Sequence, residues 1–171
     1  NGDGTSFYEQ FTKIEQDISN INMEVNRIER EYGDNEELRI LRENTNIAIL
    51  KLQASLGAFL SDMQDFMKDN ELSDEETSQI TSYKNNMENE RTKLNLQIDN
   101  VLARLRKQGE AENVTRLTTQ RKLLNDSIDN LYNNINTVCT DKKFTNIEMA
   151  TVISYFSAVG NKINETNSSS R

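Results

Sequence analysis

From Phe7 onward the apolar residues fall four and three apart almost without exception: Phe7, Phe11, Ile14, Ile18, Ile21, Val25, Ile28, Tyr32. That spacing winds into one narrow stripe on a helix and into no continuous face of a strand. Held for nearly four heptads, it is the a/d seam of left-handed helix packing. The chain of 171 residues contains no proline, so nothing forces its helices to stop early. Only 35% of residues are hydrophobic, which is thin for a globular interior and sufficient for long helices burying one stripe each.

A second feature sets where helices begin. Asp69-Asn70-Glu71-Leu72-Ser73-Asp74-Glu75-Glu76 and Asp141-Lys142-Lys143-Phe144-Thr145-Asn146-Ile147-Glu148 share the form D-x-x-[LF]-[ST]-x-x-E, 72 residues apart. The last four positions are a capping box. Ser73 or Thr145 accepts a hydrogen bond from a backbone N–H of the first turn, and Glu76 or Glu148 reaches back to the N–H of the cap. Phe144 has Met149 positioned as a staple partner, whereas Leu72 has only Thr77.

The chain then divides as follows. Residues 1–6 are a flexible lead-in ending in a candidate cap, Ser6, with Glu9 three positions on. The first helix ends at Gly33, and Asp34, with Glu37, caps a second helix running to about Met67, so residues 7–68 form an antiparallel hairpin. The second helix has two expected stripes. One is Leu38, Leu41, Thr45, Ala48, Leu52, Phe59, Met63 and Phe66; the other is Ile40, Ile47, Leu50, Leu56, Leu60 and Met67. Two stripes predict a central helix, and Ala54, Gly57 and Ala58 predict a closely approaching neighbour. Residues 69–140 form the second hairpin. Its third helix, Ser73 to about Gln108, has the stripe Ile80, Tyr83, Met87, Leu94, Ile98, Val101, Leu105. Its fourth helix, about Glu110 to Cys139, has Val114, Leu117, Arg121, Leu124, Ile128, Leu131, Ile135, Val138. Arg121 interrupts that seam and reads as a long side chain snorkelling at a helix edge. Residues 141–164 open a fifth helix, half of a third repeat, with Met149, Val152, Tyr155, Phe156, Val159 and Ile163, and residues 165–171 are a disordered tail. The expected fold is therefore all-α: tandem antiparallel helical hairpins, about five helices, forming an elongated bundle or coiled coil.

Little chemistry accompanies this grammar. There is no His, and no Walker loop, dinucleotide fingerprint or catalytic Ser or Cys constellation is present. The net charge of −8 disfavours a phosphate-binding surface. Arg104, Arg106, Lys107, Arg116, Arg121 and Lys122 cluster around the third turn among interleaved acids and read as a solvated face. Asn1-Gly-Asp3-Gly-Thr5 lacks the spacing of an EF-hand. Cys139 reads as a small, buried or half-buried apolar residue. The N-x-[ST] sites at Asn113, Asn125, Asn164 and Asn167 are what chance supplies in an Asn-rich chain. No stretch has the pattern of a signal peptide or membrane helix, and a start at Asn1 reads as a fragment or processed product. No catalytic residue, cofactor-binding residue or metal ligand is assigned, and the chain is expected not to be an enzyme. Protein partners are expected, including self-association through the a/d seams, with no nucleic acid, membrane or small molecule.

Asp69-x-x-Leu72-Ser73-x-x-Glu76, a long helix closing on Gly109, a second helix, and then Asp141-x-x-Phe144-Thr145-x-x-Glu148 with Tyr155-Phe156 downstream form a recognisable series. It resembles a helical repeat of tail-fibre, tail-tip and minor structural proteins of tailed bacteriophages of Gram-positive hosts. The resemblance covers about residues 69–164. The family form carries Lys after the Glu, where this chain has Thr77 and Met149. It implies a non-catalytic spacer or adaptor in a phage tail or baseplate, located in the virion. The alternative is a helical-bundle ectodomain of a microbial surface or secreted protein, an adhesin or scaffold outside the cell or on its surface.

Overall fold

The computed structural model describes residues 7–142 apart from 67, 69 and 70. Within them the chain is all-helical: α1 (Phe7–Glu31), α2 (Glu36–Phe66), α3 (Asp74–Lys107) and α4 (Ala111–Asp141). The expected fifth helix, the Thr145 copy of the capping box and the two terminal segments lie outside the described residues.

The 4-3 seam of α1 is its buried face: Phe11, Ile14, Ile18, Ile21, Val25 and Ile28 are all in the core. The helix ends where Gly33 takes φ +64° and donates its N–H to Arg30 O at 3.2 Å. Glycine adopts that left-handed conformation without the Cβ penalty other residues carry. The cap of α2 is Asn35, not the expected Asp34. Asn35 Oδ1 accepts the Leu38 N–H at 3.0 Å, and its carbonyl accepts Arg39 N–H at 2.9 Å. The Asn35 N–H bonds back to Gly33 O at 2.9 Å, so the turn uses one more residue than the shortest reading allows.

The main stripe of α2, from Leu38 through Leu52 and Phe59 to Phe66, is buried. The second stripe is not one face. Leu56 and Leu60 are buried, but Ile40, Ile47 and Leu50 point to solvent. At about 100° per residue those three lie on the far side of the helix from the main stripe, and Ile49 joins the core instead. Ala54, Gly57 and Ala58 are also exposed, and no neighbour comes close: a Cβ on Gly57 would meet nothing within 4 Å.

The origin of α3 follows the capping box in full. Glu76 N–H donates to Ser73 Oγ, and Ser73 N–H donates to Glu76 Oε1, both at 3.0 Å. Leu72, which has no staple partner, packs into the core, and its N–H donates to Lys142 O at 2.7 Å. That bond ties the start of α3 to the end of α4. The polar middle of α3, Asn85 to Lys93, is continuous helix. The α3–α4 turn passes through Gly109 at φ +73°.

The four helices form an antiparallel ring in which sequence neighbours pack on one another and α4 closes against α1. Pairs along each seam show the sense. Between α2 and α3, Glu37 meets Arg104 and Ser55 meets Asn86; between α3 and α4, Asn95 meets Asn125 and Lys84 meets Asn136. Residues of all four helices contribute to one apolar cluster. Phe11, Phe59 and Tyr83, from α1, α2 and α3, stack there with centroids 5.9 and 5.8 Å apart.

Candidate interaction surface

Polar groups inside the bundle are spent on holding helices together. Gln10, Asp17 and Glu24 of α1 are buried and spaced seven apart, one position before Phe11, Ile18 and Val25. They face α4. Gln10 donates to Asn130 O and accepts from Asn134 Nδ2, both at 3.1 Å. Asp17 accepts from Ser127 Oγ at 2.7 Å and from Lys13 at 2.6 Å. Glu24 pairs with Arg27, which also donates to the buried Asn113. Asn113 is therefore a core residue, closed to glycosylation. Sequence reasoning followed the apolar positions and missed this ladder. Its signal was a second heptad phase one residue ahead of the first.

Between α3 and α4, the Tyr132 ring lies under two cations, Lys84 at 5.4 Å and Arg91 at 5.3 Å. Arg91 in turn pairs with Glu88 at 2.6 Å and Asp129 at 2.9 Å. Burial, and then the Glu88 charge, push the Tyr132 phenol above its ordinary range. The hydrogen bond to Asp62, then burial, push Tyr83 up to about 12. Burial, then the Glu110 carboxylate, do the same to Tyr32, also to about 12. Burial raises the Cys139 thiol, with Lys84 opposing, so the thiol stays protonated at neutral pH.

Four of the six basic residues around the third turn are held in ion pairs: Arg104 with Glu37, Arg116 with Glu112, Arg121 with Asp99 and Lys122 with Asp126. Arg121 is half-buried, and besides its pairing with Asp99 it donates to Asn95 O, bridging α4 to α3. Among the described residues no group of three or more His, Cys, Asp or Glu is placed to hold a metal ion. None of the described helices is long and apolar enough to cross a membrane.

Exposed apolar side chains occur on all four helices, with Leu96 on α3 and Leu123 on α4 standing singly and three on α2. A groove of about 310 Å³ runs between α1 and α2, lined by Ile18, Ser19, Asn22, Asn46, Ile49, Leu50 and Gln53. Leu50, which lines it, is 63% exposed, and Ile47 and Ile40 on the same helix are 52% and 44% exposed. Asn46 Oδ1 is buried here without a hydrogen-bond partner. Exposed apolar residues grouped on one face mark interaction surfaces more often than scattered ones do. Compared with family models, curated proteins and solved structures, the chain matches none.

Proposed function

We propose that this chain is a non-catalytic spacer or adaptor segment, placed by its motif resemblance in a phage tail or baseplate protein. The observation that carries the structural role is the way side chains are used. Helices of 25, 31, 34 and 31 residues are joined by short turns, and their buried polar groups are spent on register between helices. At about 1.5 Å per residue these helices are roughly 37–51 Å long, suited to holding two attachments at a fixed separation. Placement in a tail rests on the D-x-x-L-S-x-x-E grammar, whose Ser73 copy works here as a helix origin.

The second reading is a helical scaffold or adhesin on a microbial surface; the exposed Ile47 and Leu50 of α2 suit a protein-binding role there. Immunogold electron microscopy with antibodies to the chain separates the two. Labelled phage tails are the expected result. Label confined to the cell surface, with particles from the same culture bare, would transfer the protein to the second reading.

A further inference from the structure

The groove between α1 and α2 has no ionisable residue in its lining. Ile18 and Ile49, both buried, form its apolar base; Ser19 and Asn22 stand on the α1 side, Leu50 and Gln53 on the α2 side. Gly57, about one turn beyond Gln53, is exposed, and a Cβ there would meet nothing within 4 Å. The small residues of α2 thus have no close neighbour among the described residues.

One apolar stretch of the chain has no described place. Residues 149–161 carry no charged side chain, although 28% of the whole chain is charged. In the helix expected over residues 145–163, Met149, Val152, Phe156, Val159 and Ile163 keep the 4-3 spacing, with Ile153 and Tyr155 alongside. That face is wide, and it suits a cleft between two helices better than the side of one.

We propose that residues 149–163 seat in the α1–α2 groove of their own chain and run along it past Gly57, as the fifth helix of the bundle. The point where the described chain ends agrees. Lys142 O accepts the Leu72 N–H, so the chain leaves α4 turned inward across the end of the bundle where α2 finishes. From there α1 stands next to α4, at the roughly 8–10 Å axis separation of packed helices. The chain from Lys142 to Thr145 spans up to about 10 Å. A helix starting at Thr145 runs antiparallel to α2. At about 1.5 Å per residue Phe156 lies about 17 Å along it and Val159 about 21 Å. Gly57 and Leu50 lie about 14 and 24 Å from the Phe66 end of α2. The bulky ring therefore comes level with the residue that has no side chain, and Val159 comes level with Leu50. Seating this uncharged run in an uncharged lining takes no charge out of water. The inference concerns one chain and holds for either placement of the protein.

Hydrogen–deuterium exchange of the full chain, at low micromolar and at submillimolar concentration, tests it. Amides of residues 149–163 should exchange at least about tenfold more slowly than an unstructured chain, equally at both concentrations. Leu50→Glu puts a charge into the lining and Gly57→Leu fills the hollow level with Phe156. Both positions are exposed in α2, so each variant should speed exchange of residues 149–163 by about tenfold while α3 and α4 keep their protection. Exchange of residues 149–163 at the unstructured rate overturns the proposal. Protection that both substitutions leave intact overturns it too, since the segment then sits elsewhere. Protection confined to the higher concentration makes a second copy the occupant and equally overturns it. None of these outcomes touches the immunolabelling test of the spacer reading.

Discussion

Asp17 Oδ2 accepts a hydrogen bond from Ser127 Oγ at 2.7 Å across 110 positions of sequence, and both residues are buried. A carboxylate taken out of water costs free energy unless its oxygens are satisfied, so this rung favours one register of α1 on α4 over a slip by a turn. Ser127→Ala should lower stability by about 1–3 kcal/mol in urea unfolding, the cost of leaving a buried charged acceptor short of a donor. A double-mutant cycle with Asp17→Ala should give a coupling of about 1 kcal/mol. Coupling near zero would mean the two helices do not meet in this register.

The α1–α2 turn discriminates between neighbouring candidates. Asn35 makes the capping bond to Leu38, so Asn35→Ala should cost about 1 kcal/mol. Asp34→Ala, one residue earlier and exposed, should fall within about 0.5 kcal/mol of the parent. The reverse order in chemical denaturation would restore Asp34 as the cap.

Alkaline pH should weaken the fold. Tyr32 and Tyr83 are raised from 10.0 to about 12 in the folded chain, so the unfolded chain releases these protons first. Their contribution is complete below pH 10 and is lost as the pH climbs from there through about 12. The urea midpoint should fall across that interval, and the fall should be shallower in Tyr83→Phe. Ultraviolet absorbance of tyrosinate should appear at higher pH in the native chain than in the denatured one; coincident curves would remove the effect.

Leu123 and Leu124 are adjacent, yet the first is 44% exposed and the second fully buried. Leu124→Ala should cost about 2–5 kcal/mol through lost burial and a cavity, and Leu123→Ala no more than about 0.5 kcal/mol. Thermal unfolding of the two variants reads the difference directly. Similar midpoints would contradict the placement of the α4 stripe.

The seams were legible where burial repeats with the helix. Ile14, Ile18 and Ile21 on α1, and Leu117, Leu124 and Leu131 on α4, could be read from spacing because one face of each helix meets the interior along its length. Ser73 and Glu76 were legible because a capping box is local chemistry. Ile40, Ile47 and Leu50 were misread because an apolar residue does not announce which side of its helix meets a neighbour. The ladder of Gln10, Asp17 and Glu24 was missed for the opposite reason: polar residues are counted as outward until a partner from another helix accounts for them.

Sequence alone determined the helical class, the Ser73 origin, the Gly33 and Gly109 turns and the main buried stripes, since each depends on interactions within a few turns of one chain segment. Tertiary structure decided that α4 closes against α1, that Leu72 belongs to the core, and that half of the second apolar set on α2 faces outward. Those outcomes depend on how many neighbours each helix has and at what rotation it meets them. That is settled only when all four stripes compete for one interior.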